Sequence, residues 1–189
     1  MSLKTFYKEK IVSDLQKAMG LKNPMAVPRV EKIVVNAGIG KTLKDPKLLE
    51  NIVEDFKKIT GQVPVKTLAK KSVAGFKIRQ NQVVGIMTTL RGARMYDFLE
   101  KLVRVALPRV RDFKGLSLKS FDGKGNYSIG FREQIVFPET SREHLEHTFG
   151  FEVNIQTNAN DDKKALALLK SLGFPFSAKG DTASGGKKE

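Results

Sequence analysis

The segment DPKLLENIVEDFKKITG, residues 45 to 61, predicts one amphipathic helix with both ends marked. Asp45 is placed to cap it, and Pro46 suits the first helical position, where its missing N–H would have no partner anyway. Gly61 supplies the stop. Leu48, Leu49, Ile52, Val53, Phe56 and Ile59 recur at helical spacing and form the stripe to be buried. This helix constrains the fold through its neighbours. Upstream, RVEKIVVNAG alternates, with Ile33 and Val35 on one side and Lys32 and Asn36 on the other. Downstream, VVGIMTTLRG sets Ile86, Thr88 and Leu90 on one face and Met87, Thr89 and Arg91 on the opposite one. Half-wet strands beside one-sided helices pack as two layers, with helices on one sheet face.

Other segments agree. Residues 3 to 19 carry Leu3, Phe6, Ile11, Leu15 and Ala18 near helical spacing, and Gly20 is a natural terminator. VPVKTLA reads as a short strand. Residues 93 to 107 predict a helix burying Phe98, Leu99, Leu102, Val103 and Ala106 before Pro108. After a long loop, YSIGFREQIVF and FEVNIQT supply later strands. Asp161 or Asn160 caps a last helix with Ala165, Leu166, Leu169 and Leu172 facing inward until Gly173. The expected fold class is α+β: a mostly antiparallel sheet, helices on one face, the other face open and carrying Lys32, Asn36, Thr89 and Arg91. Residues 1–176 are expected to form a single domain, with a projecting basic loop at about 70–82. Residues 177–189 are small and polar and are expected to be disordered. No internal repeat is visible.

Charge indicates what the open face meets. The chain has 34 Lys and Arg against 20 Asp and Glu, a formal charge of +14. Such an excess repels itself in the compact state and is explained by a polyanionic partner, nucleic acid above all. From Phe56 to Tyr96 there is no acidic residue, while Lys57, Lys58, Lys66, Lys70, Lys71, Lys77, Arg79, Arg91 and Arg94 all lie in that window. From Glu139 to Asp162 the sign reverses, with Arg142 the lone cation. Charge that serves solubility intersperses its signs, so the acid-free window reads as a polyanion footprint, and the open face as an RNA face.

Other chemistries find little support. VVNAGIGKTL resembles a phosphate-binding loop, but the glycine that such a loop needs five residues before its Gly-Lys pair is here the β-branched Val35. His144 and His147 share a short segment that the Thr140–Glu143 capping box marks as helical, but no third ligand accompanies them. No metal, cofactor or catalytic residue is expected. The chain has no cysteine, which excludes disulfides and thiolate sites. Neither a signal peptide nor a run of about 20 apolar residues occurs, so a soluble cytosolic protein without a membrane partner is expected.

The segment TGQVPVKTLAKKSVAGFKIRQNQVVG gathers Lys70, Lys71, Lys77 and Arg79 around Phe76, Ser72, Ala74 and Gly75 between two strands. Such a loop offers cations to phosphates, and Phe76 either stacks on a base or anchors the loop to the core. Together with VPRVEKIVVNAGIG, TLRGARMYDFLEKLVRVALPRVRDFKG, SFDGKGNYSIGFREQIVFPE and LLKSLGFPF, in this order from about Tyr7 to Phe176, this segment resembles the bacterial form of a ribosomal family. That family is the large-subunit protein number five, which binds 5S ribosomal RNA.

The resemblance implies an α+β fold whose uncovered sheet face lies on 5S RNA. Asn36, Gly38, Gln62, Thr67, Thr89 and Arg91 would lie in or beside that surface, with Arg29, Lys32 and Lys66 adding charge. The glycines of NAGIG would let backbone approach RNA closely. The loop bearing Lys70, Lys71, Ser72, Phe76, Lys77 and Arg79 would approach P-site transfer RNA. Further implied partners are 23S RNA, the small-subunit head protein number thirteen and neighbouring large-subunit proteins. The sequence departs from the family in four places. Gln80-Asn81-Gln82 stands where a glycine often follows FKIR; TNANDDKK replaces a more acidic stretch; the tail after Phe176 is longer; and Met87 occupies a position where a cation is common. The rivals to a structural RNA-binding protein are an RNA-dependent enzyme, a nucleotide hydrolase using GIGKT, and a free RNA chaperone.

Overall fold

The computed structural model describes residues 2–40, 46–140 and 148–177. Five strands form one antiparallel sheet: β1 (Val30–Gly38), β2 (Val65–Leu68), β3 (Val83–Leu90), β4 (Tyr127–Phe131) and β5 (Phe151–Thr157), in the spatial order β2-β3-β1-β5-β4. The central pairings set Ile33 against Leu90 and Ile155, and Val35 against Thr88 and Val153. All of these are buried. Glu31 is an extra residue at a bulge between Val30 and Lys32, which returns Val30 to the buried side despite its even spacing from Lys32.

Helices cover that buried face. The first, α1, spans 3–19 in three pieces, Leu3–Phe6, a π-turn at Tyr7–Ile11, and Val12–Met19. Its buried residues Leu3, Tyr7, Ile11 and Leu15 recur every four positions. In a straight α-helix each such step overshoots a turn by about 0.4 residue, and the wider π-turn absorbs the drift. This is why Tyr7 faces inward and Ala18, expected inside, is exposed. Gly20 ends the helix in the left-handed conformation (φ 62°).

Helix α2 (Pro46–Thr60) buries Ile52, Phe56 and Ile59 and half-buries Leu48, Leu49 and Val53. Gly61 stops it at φ 68° with its N–H on the Lys57 carbonyl, 2.8 Å. The expected Asp45 cap lies outside the described residues. Helix α3 runs from Gly92 to Lys101 and on through a π-turn at Leu102–Ala106. It buries Phe98, Leu99, Leu102 and Ala106, with Val103 partly buried. Helix α4 (Asp162–Ser171) is capped by Asp161, whose carboxylate accepts from the Lys163 N–H at 3.1 Å.

Two expectations fail on packing detail. In α4 the buried residue is Leu168 rather than Leu166, because the inward face is Ala165, Leu168, Leu169 and Leu172. The strand expected through YSIGFREQIVF ends at Phe131, and Gln134–Val136 is a 3-10 turn. Gln134 is buried there with its Oε1 accepting from the Phe149 N–H at 2.8 Å, which turns the chain inward where alternation would have kept it extended. Phe131 and Phe151 stack beside that turn, and Phe137 packs tilted against both.

Candidate nucleic-acid interface

Strand periodicity places the other sheet face. Asn36 and Gly38 on β1 are exposed, and Lys32 and Val34 half-buried, while Ile33, Val35, Ala37 and Ile39 between and beyond them are buried. Cross-strand register then builds rows on the wet side. One row runs Val65, Met87, Asn36, Glu152, Gly130; a second runs Thr89, Val34, Asn154, Ser128; a third runs Thr67, Gly85, Gly38. Continuing the Ile33–Leu90 register brings Arg91, extended at φ −141° and ψ 163°, opposite Lys32. Apart from Gly85, the residues of these rows are exposed or half-buried.

The glycines on this face differ in kind. A Cβ at Gly85 would meet the Thr67 Oγ1 at 2.8 Å and the Ala37 carbonyl oxygen at 3.0 Å, so the chain's own packing demands glycine there. At Gly38 and Gly130 an added Cβ would meet nothing within 4 Å, and neither has a positive φ. Strand glycines cost stability, and nothing among the described residues accounts for these two.

The expected surface residues are brought together only in part. Lys32, Asn36, Gly38, Thr67, Thr89 and Arg91 share the wet face. Lys66 opposes the buried Ile86, so it points to the helix side, exposed because β2 is an edge. Arg29 precedes β1, its backbone N–H on the Asn158 Oδ1 at 2.7 Å. Its charge is felt by Tyr7 and Tyr96, buried on the helix side, so it stands at the sheet end rather than over the wet face. Gln62 is half-buried in the α2–β2 connection, its carbonyl accepting from the Thr60 Oγ1 at 3.0 Å.

The face is also less cationic than the sequence suggests. Glu152, from the acid-rich stretch, sits beside Asn36 because β5 pairs with β1. Residues not singled out from sequence join it: Ser128, Gly130, Asn154 and Gln156. The Ser128 hydroxyl donates to the Asn154 Oδ1 at 2.6 Å, leaving the Asn154 amide NH2 as a donor. The period-2 polar pattern of FEVNIQT was the available signal.

The cations gather instead on the β2–β3 hairpin, residues 69–82. It is built, not slack. Ala69 and Gln82 close its base at 2.8 Å, and Val73 and Ile78 exchange two hydrogen bonds at 2.9 and 3.2 Å. The Ser72 hydroxyl oxygen accepts from the Gln80 N–H at 2.9 Å. Asn81 adopts φ 64°, a left-handed conformation that asparagine tolerates better than most residues. Lys70, Lys71, Ser72, Lys77 and Arg79 are all exposed. Phe76 is 77% exposed at the apex, which excludes the core-anchor role. A concavity of about 400 Å³ opens beside it, lined by Lys77, Arg79, Gln80, Asn81 and Gln82.

The phosphate-loop reading fails on geometry. Val35 is fully buried in the middle of β1, and its backbone lies in the sheet ladder rather than in a ring around an anion. Lys41, Thr42, His144 and His147 lie outside the described residues. Among the described residues no group of three or more His, Cys, Asp or Glu side chains could hold a metal, and no helix is long and apolar enough to cross a membrane.

An antiparallel five-stranded sheet with helices on its buried face, polar residues on the other and a hydrogen-bonded basic hairpin leaving one edge strand defines a class: an α+β protein. Comparison with known proteins makes the class particular. Residues 23–79 match the family model described as ribosomal protein L5, and residues 83–176 match the model for the C-terminus of the same ribosomal family. The large ribosomal subunit protein uL5 of Halothermothrix orenii is 55% identical over 170 residues, covering 90% of this chain and 95% of that protein. Those of Dechloromonas aromatica and Colwellia psychrerythraea are 53% and 49% identical, covering 92% and 94% of this chain and 97% and 98% of theirs. The chain belongs to the ribosomal protein L5 family. It is a structural constituent of the large ribosomal subunit and not an enzyme.

Proposed function

We propose that this protein docks 5S ribosomal RNA on the wet face of its sheet and helps to attach it to 23S RNA in the central protuberance. Lys32, Asn36, Gly38, Thr67, Thr89 and Arg91 form the docking face, with Arg29, Gln62 and Lys66 at its margins. The hairpin carrying Lys70, Lys71, Ser72, Phe76, Lys77 and Arg79 reaches P-site transfer RNA, cations on phosphates and Phe76 stacked on a base. Another surface meets the small-subunit head protein number thirteen.

The observation that supports the reading is Gly38, an exposed strand glycine at which an added Cβ would meet no described residue within 4 Å. Without a Cβ the strand backbone can come within hydrogen-bond distance of a sugar or base edge. The test is competition at physiological salt between labelled 5S RNA and an unrelated structured RNA of equal length. A preference for 5S RNA of about a thousandfold or more is expected, the low end for specific nucleic-acid complexes. Equal competition would mean that charge alone drives binding, and the docking face would have to be abandoned.

A further inference from the structure

The cations of the hairpin and its apical Phe76 have a part in the proposed function, but the turn between apex and base has none. That turn, Gln80-Asn81-Gln82, sets three side-chain amides in succession. Together with Lys77 and Arg79 they line the concavity of about 400 Å³.

The wall of the concavity is fixed by the chain's own backbone. The Arg79 N–H donates to the Gln82 Oε1 at 3.0 Å and the Gln80 N–H to the Ser72 Oγ at 2.9 Å. The Asn81 N–H donates to the Ala69 carbonyl at 2.9 Å, and the Gln82 N–H to the Arg79 carbonyl at 3.2 Å. Every backbone N–H from Arg79 to Gln82 is therefore engaged, so this turn does not cradle an anion with its backbone as a phosphate nest does. Side chains are what it offers to a ligand. Lys77 and Asn81 hold left-handed backbone conformations, φ 55° and 64°, which for lysine is costly and persists only where the surroundings fix it.

The side chains specify the ligand's chemistry. A bare anion would use Lys77 and Arg79 and leave the amides without a purpose. An amide carries a donor and an acceptor in one plane, and adenine presents the matching pair side by side, N6–H and N7. The Gln82 oxygen is spent on Arg79, which leaves its NH2 as a donor, while Gln80 and Asn81 are exposed and present whole amides. Lys77 and Arg79 supply charge for the phosphate of the same nucleotide. The volume is at the low end for sites that hold one small molecule, so it suits a single nucleotide. Only a base that is neither paired nor stacked in its own strand can enter such a site, and Phe76, 77% exposed beside Lys77, offers a ring to replace the lost stacking.

We propose that the hairpin concavity is a base-reading site for one unpaired adenosine of an RNA strand, read by the amides of Gln80 and Asn81. The inference rests on the proposed contact of the hairpin with RNA and adds a base preference, which cations alone do not give.

The test uses the full chain and short labelled uridine oligomers of equal length, each with one central adenosine, guanosine, cytidine or uridine. The unaltered chain is expected to prefer the adenosine oligomer by at least about fivefold, the lower end for one bidentate amide–adenine pair. The amide variant combines Gln80→Ala with Asn81→Gly, since glycine keeps the left-handed backbone at 81 without strain. Thermal unfolding checks its fold. It should lose the preference while keeping the salt slope of oligomer binding and the affinity for 5S RNA. Arg79→Gln should do the reverse, keeping the preference and lowering the slope by about one unit. Phe76→Leu should weaken all four oligomers alike, because stacking tolerates any base.

A preference that survives in the amide variant, or an equal loss of 5S binding by it, would overturn the proposal. Guanosine preferred over adenosine would assign the reading to Arg79 and overturn it as well. So would displacement of the oligomer by adenosine monophosphate as effective as by unlabelled oligomer, which would make the site one for a free nucleotide. Lys70→Gln with Lys71→Gln tests the underlying reading: unaltered affinity for every oligomer would sink the contact of the hairpin with RNA. Weakened binding by that variant, with no base preference in the unaltered chain, would sink the base-reading site alone.

Discussion

Gly38 and Gly85 pair across β1 and β3, on the same wet face, and alanine at each should fail in opposite ways. At Gly85 the new methyl would lie 3.0 Å from the Ala37 carbonyl oxygen and 2.8 Å from the Thr67 Oγ1. Thr67 can rotate, but a backbone oxygen cannot give way without shifting the strand. Overpacking of this kind costs about 1–3 kcal/mol. For a chain of this size each kcal/mol moves Tm by about 2–4 °C, so a fall of up to about 10 °C is expected. At Gly38 the methyl meets nothing within 4 Å and φ is ordinary for a strand, so relief of glycine's backbone entropy should stabilise by about 0.5–1 kcal/mol. If RNA backbone packs where that methyl would stand, the same variant must bind 5S RNA more weakly despite its greater stability. Thermal unfolding and RNA titration on both variants read the two effects separately. Gly38→Ala with unaltered affinity would refute the reasoning that the bare backbone is a contact surface. Equal destabilisation of both variants would refute the packing distinction on which it rests.

Thr88 places a hydroxyl in the core with no hydrogen-bond partner among the described residues, so Thr88→Val should stabilise by about 1 kcal/mol, read as a raised urea midpoint; a fall of that size would show that the hydroxyl is satisfied. Burial pushes the Tyr7 hydroxyl up to about 12, with Tyr96 beside it adding to the rise and Arg29 opposing it. Its folded value lies above the ordinary one near 10, so the stability it contributes is complete below pH of about 10 and is lost as pH rises through about 12. Tyr7→Phe should flatten part of that loss while costing about 1 kcal/mol at neutral pH, because the Pro28 carbonyl loses its 2.9 Å donor. An equally steep variant would rule out Tyr7 as the cause. Arg91→Ala should weaken RNA binding and lower its salt slope by about one unit, and an unchanged slope would remove Arg91 from the surface.

What could be read from the sequence depended on how local the cause was. The alternation in β1 and β3 placed Lys32, Asn36, Thr89 and Arg91 correctly, since side-chain direction within a strand is fixed by the strand itself. Lys66 and Thr67 show the limit: adjacent strand residues point apart, yet nothing in VPVKTLA says which of them shares a face with Asn36. That depends on pairing with β3. Glu152 belongs to the stretch where the charge reverses sign, and only the pairing of β5 with β1, more than a hundred residues apart in sequence, brings it beside Asn36. The distinction between Gly38 and Gly85 was likewise invisible, because it lies in what stands across the strand.

The resulting division of charge has a physical consequence. Cations spread over the sheet face would attract any polyanion, since phosphate contacts carry no sequence information. Here the face carries two cations, Lys32 and Arg91, among amides, hydroxyls, bare backbone and the apolar Val34, Val65 and Met87, with Glu152 beside the central Asn36, and the hairpin cations leave its β2 edge. If the face docks RNA as proposed, an RNA whose shape does not fit would bring phosphates toward Glu152 and leave amides such as Asn36 without partners, at a cost of about 1–3 kcal/mol for each buried group left unsatisfied. On the proposed docking reading the hairpin cations would set how fast and how tightly any RNA is drawn in, while the polar rows would decide which RNA remains, because only a matching surface recovers the hydrogen bonds it gives up to water.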